Sequence, residues 1–124
     1  SGGLAEALPN AASRAALPTT VDVTVGRFDA DVEATVYFCC LEALQNAAKH
    51  AGDAASVNIR VWSDEHALRF EVIDDGAGFE VGPSGARGHG FVNMADRLGT
   101  IGGKLVVTST IGTGTTIRGE IPVP

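Results

Sequence analysis

The period of apolar and polar residues changes several times along this chain, and each change predicts a new element. Residues 1–20 are alanine-rich and place Leu4, Leu8, Ala11 and Ala15 at helical spacing. This predicts a short helix, or two, broken near Pro9, because proline lacks the N–H that a helix interior needs. "VDVTV" (21–25) alternates β-branched and polar positions and predicts a strand. The helical period then returns, with Val32, Val36, Cys40, Ala43, Leu44 and Ala47 on one side of a helix. Asp29 or Asp31 is its expected cap and Gly52 its expected end. "SVNIRVW" (56–62) and "LRFEVID" (68–74) alternate again and are joined by the polar turn "SDEH", the signature of a hairpin.

Between Asp75 and Gly90 the sequence has five glycines and one proline. It reads as a loop, and loops held between rigid elements are where binding concentrates. Phe91, Met94, Ala95 and Leu98 recur at i, i+3, i+4 and i+7 and predict a short helix closed by Gly99. "KLVVTST", the turn "IGTG" and "TTIRGEIPV" predict a second hairpin. There is no internal repeat. The expected fold is an α+β two-layer sandwich: a mixed, mostly antiparallel sheet of about five strands, covered on one face by about three helices. Residues 1–18 read as a lead-in and 19–124 as the single domain.

At 124 residues the chain is the size of one ordinary domain. Its 44% hydrophobic and 19% charged content excludes a disordered chain. No apolar run approaches the ~20 residues of a membrane span, and the first residues lack the basic and apolar blocks of a signal peptide. A soluble domain without membrane contact is expected. Fifteen acidic against nine basic side chains give a net charge of −6 with no basic block, so nucleic acid is not an expected partner. A polyanionic ligand would have to be held locally, by backbone N–H groups, a few placed cations and a metal ion. Cys39 and Cys40 are adjacent, and consecutive helical residues point ~100° apart, so a disulfide between them would be strained. They read as small buried hydrophobes in a reduced, cytoplasmic setting.

The candidate chemistry begins in "LEALQNAAKH" (41–50). Glu42, Asn46, Lys49 and His50 fall at about 0°, 40°, −20° and 80° around the helix, so they share one face. A solvated surface helix can show the same spacing, but the neighbours here are alanine, leucine and cysteine, which suggests a polar stripe lining a cleft. An Asn amide oxygen suits a hard divalent cation, a carboxylate can act as base, and Lys can neutralise phosphate. "IDDGAGF" (73–79) leaves Asp74 at a strand end followed by Gly76 and Gly78, where a flat ligand can press onto backbone. A carboxylate only accepts hydrogen bonds, so Asp74 favours adenine's amino group over guanine's carbonyl oxygen. "GHGF" (88–91) opens the next helix and offers free N–H groups to phosphate. "GTGTT" (112–116) on its own is an ordinary hairpin tip.

In this order the four motifs resemble the Bergerat-type ATP-binding (GHKL, HATPase_c) domain shared by sensor histidine kinases, gyrase, Hsp90 and MutL. Glu42 to Ala51 is similar to the N-box, Asp74 to Phe79 to the G1 box, Gly88 to Phe91 to the G2 box, and Gly112 to Thr115 to the terminal G-x-G-T. "GHGFVNMADRLGTIGG" resembles the corresponding stretch of the histidine kinases that pair with NarL-type response regulators. The alanine- and valine-rich, lysine-poor composition suggests, within them, haem-containing hypoxia sensors of the DosS/DevS type. The resemblance spans about residues 19–123. It implies that Asn46 ligates Mg²⁺, that Glu42 orients or deprotonates the phosphate acceptor, and that Lys49 and His50 meet phosphate oxygens. It further implies that Asp74 binds the adenine amino group, with Gly76 and Gly78 shaping the base pocket. The backbone of Gly88, His89 and Gly90 would contact the phosphates, and Thr115 or Thr116 would lie near adenine. ATP and Mg²⁺ are then the cofactors, and catalysis is mostly positioning and charge neutralisation.

Two departures shape the expectation. Only "EVGPSGAR" (80–87) separates the G1 and G2 boxes, too short and too rich in glycine and proline for a lid helix, so modest nucleotide affinity is expected. Without nucleotide, Glu80 is expected to swing toward Lys49 or His50. The chain also contains no phosphoacceptor helix, so its expected partners are the phosphoacceptor and dimerisation domain of the same kinase and a NarL-type regulator. The isolated chain would be monomeric and the whole kinase a homodimer. Rival readings are a gyrase-like clamp ATPase, an anti-sigma-factor serine kinase and a regulatory nucleotide-binding module.

Overall fold

A computed structural model of the chain describes residues 2–52, 55–80 and 90–123. Along the chain run α1 (Leu4–Ser13), β1 (Thr19–Val23), α2 (Ala30–His50), β2 (Val57–Ser63) and β3 (Ala67–Asp74), followed by α3 (Phe91–Gly99), β4 (Lys104–Thr110) and β5 (Gly114–Pro122). The strands form one sheet in the order β1-β2-β3-β5-β4. β1 runs parallel to β2, and the remaining neighbours are antiparallel. Three helices on a five-stranded mixed sheet make the α+β sandwich that the periodicity predicts.

Because side chains alternate along a strand, the register sorts each face into rows that cross the sheet. On the helix-covered face one row holds Ile59, Val72, Ile117 and Val107, and the next holds Val61, Phe70, Gly119 and Leu105. Phe70 is fully buried, and its ring occupies the place where a side chain on Gly119 would stand. At the other end, Val57 is followed by Asp74, Thr115 and Ser109. The face that is apolar over most of its area thus turns polar at one edge.

The open face carries charges of alternating sign. Across it lie Asp22, Arg60, Glu71 and Arg118 in one row, and Trp62, Arg69, Glu120 and Lys104 in the next. Arg118 binds Glu71 at 2.8 Å, Arg69 binds both Asp64 and Glu120, and Arg60 lies 4.3 Å over the Trp62 ring. Opposite charges directly across strands contribute about 0.2–1 kcal/mol each. A shallow depression there is lined by Trp62, Lys104 and Val106 among these charges. The Arg69 guanidinium, with the His66 and Ala67 N–H groups, holds the Asp64 carboxyl down at about 2. That carboxylate organises the "SDEH" turn.

Three local expectations change. α1 runs unbroken through Pro9. Burying Leu4 and Leu8 contributes about 1.5–3 kcal/mol each, which offsets the ~3 kcal/mol of an interior proline, whose ring here is exposed. The helix therefore joins the common core instead of lying apart from it. The first strand begins two residues earlier than the alternation suggests, because Thr19 and Thr20 extend the pairing with Val57 and Asn58. Asp29 stands at the N-cap of α2, but its side chain makes no capping bond. Glu33 instead reaches back to the Phe28 N–H and to Arg27 at 2.9 Å, and Asp31 takes the N–H of Val32. Gly99 is the last residue of α3, as expected. The chain turns left-handed at Gly102 (φ 77°), and the Gly103 N–H closes back onto the Leu98 carbonyl at 2.7 Å. Gly52, with φ 101°, does end α2 as expected.

Cys39 and Cys40 are free and fully buried. Burial, with a smaller opposing pull from Arg97 and a push from Glu42, raises the Cys39 thiol to about 12, and burial raises Cys40 further. Reaction with an aromatic disulfide reagent at mildly alkaline pH should therefore be slow in buffer and fast once the chain is unfolded in concentrated urea. Replacing Gly119 by Ala forces a methyl group into the Phe70 ring. Urea unfolding should show a loss of about 1–3 kcal/mol.

Candidate functional site

The first glycine loop is held by backbone on both sides. The Ala77 N–H donates to the Ala51 carbonyl at the end of α2 (2.9 Å), and the Ala77 carbonyl accepts the Gly112 N–H from the β4–β5 turn (2.7 Å). A side chain on Gly76 would overlap Ala51, and one on Gly78, whose φ is 65°, would overlap the Thr110 carbonyl. These two glycines are therefore needed to dock the loop against the protein itself, a different reason from the ligand contact that sequence spacing suggested. Asp75 adds a third anchor by accepting the N–H and hydroxyl of Ser56, and these bonds lower its pKa.

With the loop docked there, the exposed and half-buried side of α2 becomes one wall of a cleft. Glu42 and Asn46 are half-buried, whereas Lys49 and His50 are exposed at the helix end. Glu42 also approaches the start of α3, since a side chain on Gly90 would come within 3.0 Å of its Oε2. From Glu42 to Ala51 the helix rises about 13 Å. The polar stripe thus reaches from the N-terminus of α3 to the docked loop. Phe79 and Phe91 stack at 5.9 Å and 24°, which draws together the two ends of the segment between them.

The polar edge of the sheet supplies the second wall. Asp74 is half-buried and accepts the Gly76 N–H at 3.0 Å through Oδ1. Directly opposite on β5 is Thr115, 8% exposed, and beyond it on β4 is Ser109. Ser109 Oγ accepts the Phe79 N–H (2.9 Å), lies 2.8 Å from Thr115 Oγ1 and donates to the Gly114 carbonyl (3.1 Å).

The structure brings the end of α2 and its polar stripe, the Asp74 loop, Gly90 and Thr115 to one end of the sandwich. Thr116 does not join them, because it alternates onto the open face with Arg118 and Glu120. Gly88, His89 and residues 81–87 of the expected lidless segment lie outside the described residues. Glu80 is exposed. Among the described residues there is no cluster of three or more His, Cys, Asp or Glu side chains able to hold a metal. No described helix is long and apolar enough to cross a membrane. Sequence reading missed Ser109 and the stacked phenylalanines. Ser109 is an ordinary residue within an alternating strand, and only register places it beside Thr115. The phenylalanines flanking the glycine-rich stretch were visible, but their contact was not.

Comparison with known proteins bears on this geometry. Residues 31–124 match the family described as histidine kinase-, DNA gyrase B- and HSP90-like ATPases. The chain is 33% identical over 116 residues to the sensor histidine kinase MctS of Rhizobium johnstonii, covering 90% of this chain and 25% of that protein. It is 35% identical over 79 residues to the signal transduction histidine-protein kinase/phosphatase UhpB of Salmonella typhimurium, covering 64% of this chain and 15% of that protein. The chain thus spans a quarter or less of these relatives. Among solved structures, the histidine kinase domain of the Erythrobacter litoralis EL346 blue-light activated histidine kinase superposes with a TM-score of 0.76 at 25% identity, over 98% of this chain and 61% of that one. The chain belongs to the histidine kinase-, DNA gyrase B- and HSP90-like ATPase family, in which its relatives are sensor histidine kinases.

Proposed function

We propose that this domain binds Mg-ATP and donates the γ-phosphoryl group to a histidine on a separate phosphoacceptor and dimerisation domain. The observation that carries the reading is the half-buried Asp74 carboxylate at the polar edge of the sheet, under a loop docked to the helix that bears Glu42 and Asn46. Asp74 keeps acceptor capacity beyond its bond to Gly76 and receives the adenine amino group. Gly76 and Gly78 set the floor of the base pocket by holding the loop in place.

The donor set fits magnesium. Glu42 and Asn46 are oxygen-bearing, half-buried and one helical turn apart, and Mg²⁺ takes few protein oxygens alongside phosphate and water. Asn46 would hold the ion, which when bound screens charge on the phosphates. Glu42 orients or deprotonates the acceptor imidazole, whose nitrogen then forms the new bond to phosphorus as ADP leaves. Lys49 supplies the local positive charge that a chain of net −6 needs, His50 adds a contact to phosphate oxygen, and the backbone of Gly88, His89 and Gly90 supplies N–H donors. Thr115 completes the adenine end. We assign no nucleotide contact to Thr116.

The "GHGFVNMADRLGTIGG" stretch supports a NarL-type response regulator as the downstream partner. Composition alone supports the narrower DosS/DevS-type reading, and the chemistry of the site does not depend on it. The cytoplasm is the compartment in which this chemistry and two free thiols belong. The domain acts as a monomer on the acceptor domain of a homodimeric kinase.

Titration with ATP, with and without Mg²⁺, tests the site. Replacing Asp74 with Ala should weaken ATP binding about 10- to 100-fold, the value of a hydrogen bond to a charged group. Asn46→Ala should retain binding without metal and lose the gain from Mg²⁺. Mixing the chain with its acceptor domain and γ-labelled ATP should label histidine. Label on serine supports the anti-sigma-factor type, and binding without transfer supports a regulatory module.

A further inference from the structure

We propose that Ser109 is a positioning residue that sets the base selectivity of this pocket through Thr115. The inference rests on the reading of Asp74 as the purine-binding carboxylate. Ser109 Oγ has three neighbours, the Phe79 N–H at 2.9 Å, the Gly114 carbonyl at 3.1 Å and Thr115 Oγ1 at 2.8 Å. A hydroxyl has one hydrogen and two lone pairs. The Gly114 carbonyl can only accept, so it takes the Ser109 hydrogen, and the Phe79 N–H can only donate, so it occupies one lone pair. The remaining lone pair faces Thr115, so the arrangement that satisfies all three contacts makes Thr115 the donor in their shared bond.

This assignment determines what Thr115 offers to a ligand. With its hydrogen turned toward Ser109, Thr115 presents only lone pairs to its cross-strand neighbour Asp74 and to the space beside it. Asp74 also only accepts. The pocket end is then acceptor-only, and Thr115 is 8% exposed, so water cannot freely repair a mismatch. A 6-aminopurine donates to such a surface. A 6-oxopurine points a third acceptor at it and is rejected. The same serine binds the Phe79 N–H, so the orientation of Thr115 and the end of the glycine loop are set by one atom.

The test compares ATP with inosine triphosphate, in which a 6-oxo group replaces the amino group. The native chain should prefer ATP. In Ser109→Ala, Thr115 regains a free hydrogen that it can donate to the oxo group, and the ratio of the two dissociation constants should fall about five- to tenfold. Ser109→Thr restores the hydroxyl and should restore the ratio, and Ser109→Cys, with a weak donor and acceptor, should fall between them. A purely structural serine would weaken both nucleotides in parallel, and that result, or an unchanged ratio in Ser109→Ala, overturns the proposal. A native chain that binds neither nucleotide overturns the nucleotide reading itself, and this inference with it. A native preference that Ser109→Ala leaves intact overturns this inference alone.

Discussion

The docking of one glycine loop onto backbone at two places is the constraint from which the rest of the site follows. Ala77 bonds through its N–H to the end of α2 and through its carbonyl to the β4–β5 turn, and no side chain fits at Gly76 or Gly78 to keep those surfaces apart. Since the loop continues directly from β3, Asp74 has a defined position relative to α2. Moving the loop outward would separate the carboxylate from the polar stripe and break both bonds, at about 0.5–1.5 kcal/mol for each hydrogen bond lost.

The sheet divides its labour by row and by face. Apolar rows beneath the helices supply the burial that stabilises the fold, and the single polar row at one edge lies where the loop, α2 and the start of α3 converge. The open face uses alternating charges and an arginine laid over Trp62, which keeps it solvated and discourages edge or face association. Its depression is lined by Arg60, Arg69, Lys104 and Arg118 with only Glu71 and Glu120 among them, so its chemistry differs from that of the polar sheet edge. The buried thiols beside Glu42 belong to the core, and their raised pKa values keep them as unreactive filler.

Much of this was legible in order along the chain. Alternation marked both hairpins, the 3.6-residue period marked α2 and α3, and the spacing of Glu42, Asn46 and Lys49 placed them on one helical face, because local periodicity follows from backbone geometry alone. The polar stripe of α2 and the three glycine-bearing motifs together suggested an adenosine polyphosphate. Boundaries that depend on competing partners were less legible. Pro9 remained inside α1 because Leu4 and Leu8 reach the core, and Glu33 took the capping role expected of Asp29 or Asp31. Gly99 ended α3 as expected, and the left-handed turn beyond it falls at Gly102.

The sequence by itself determined the elements and the two-layer class, and it singled out the polar stripe of α2 and the glycine loops, since each of these depends on residue type and spacing. Only the tertiary structure decided that Thr115 faces the cleft while Thr116 faces away, and that Ser109 holds Thr115. It also decided that Gly76 and Gly78 are required by neighbouring protein atoms. Those facts depend on strand register and on contacts between residues up to thirty or more positions apart, and a one-residue slip in pairing would exchange the two faces without altering the pattern along the chain.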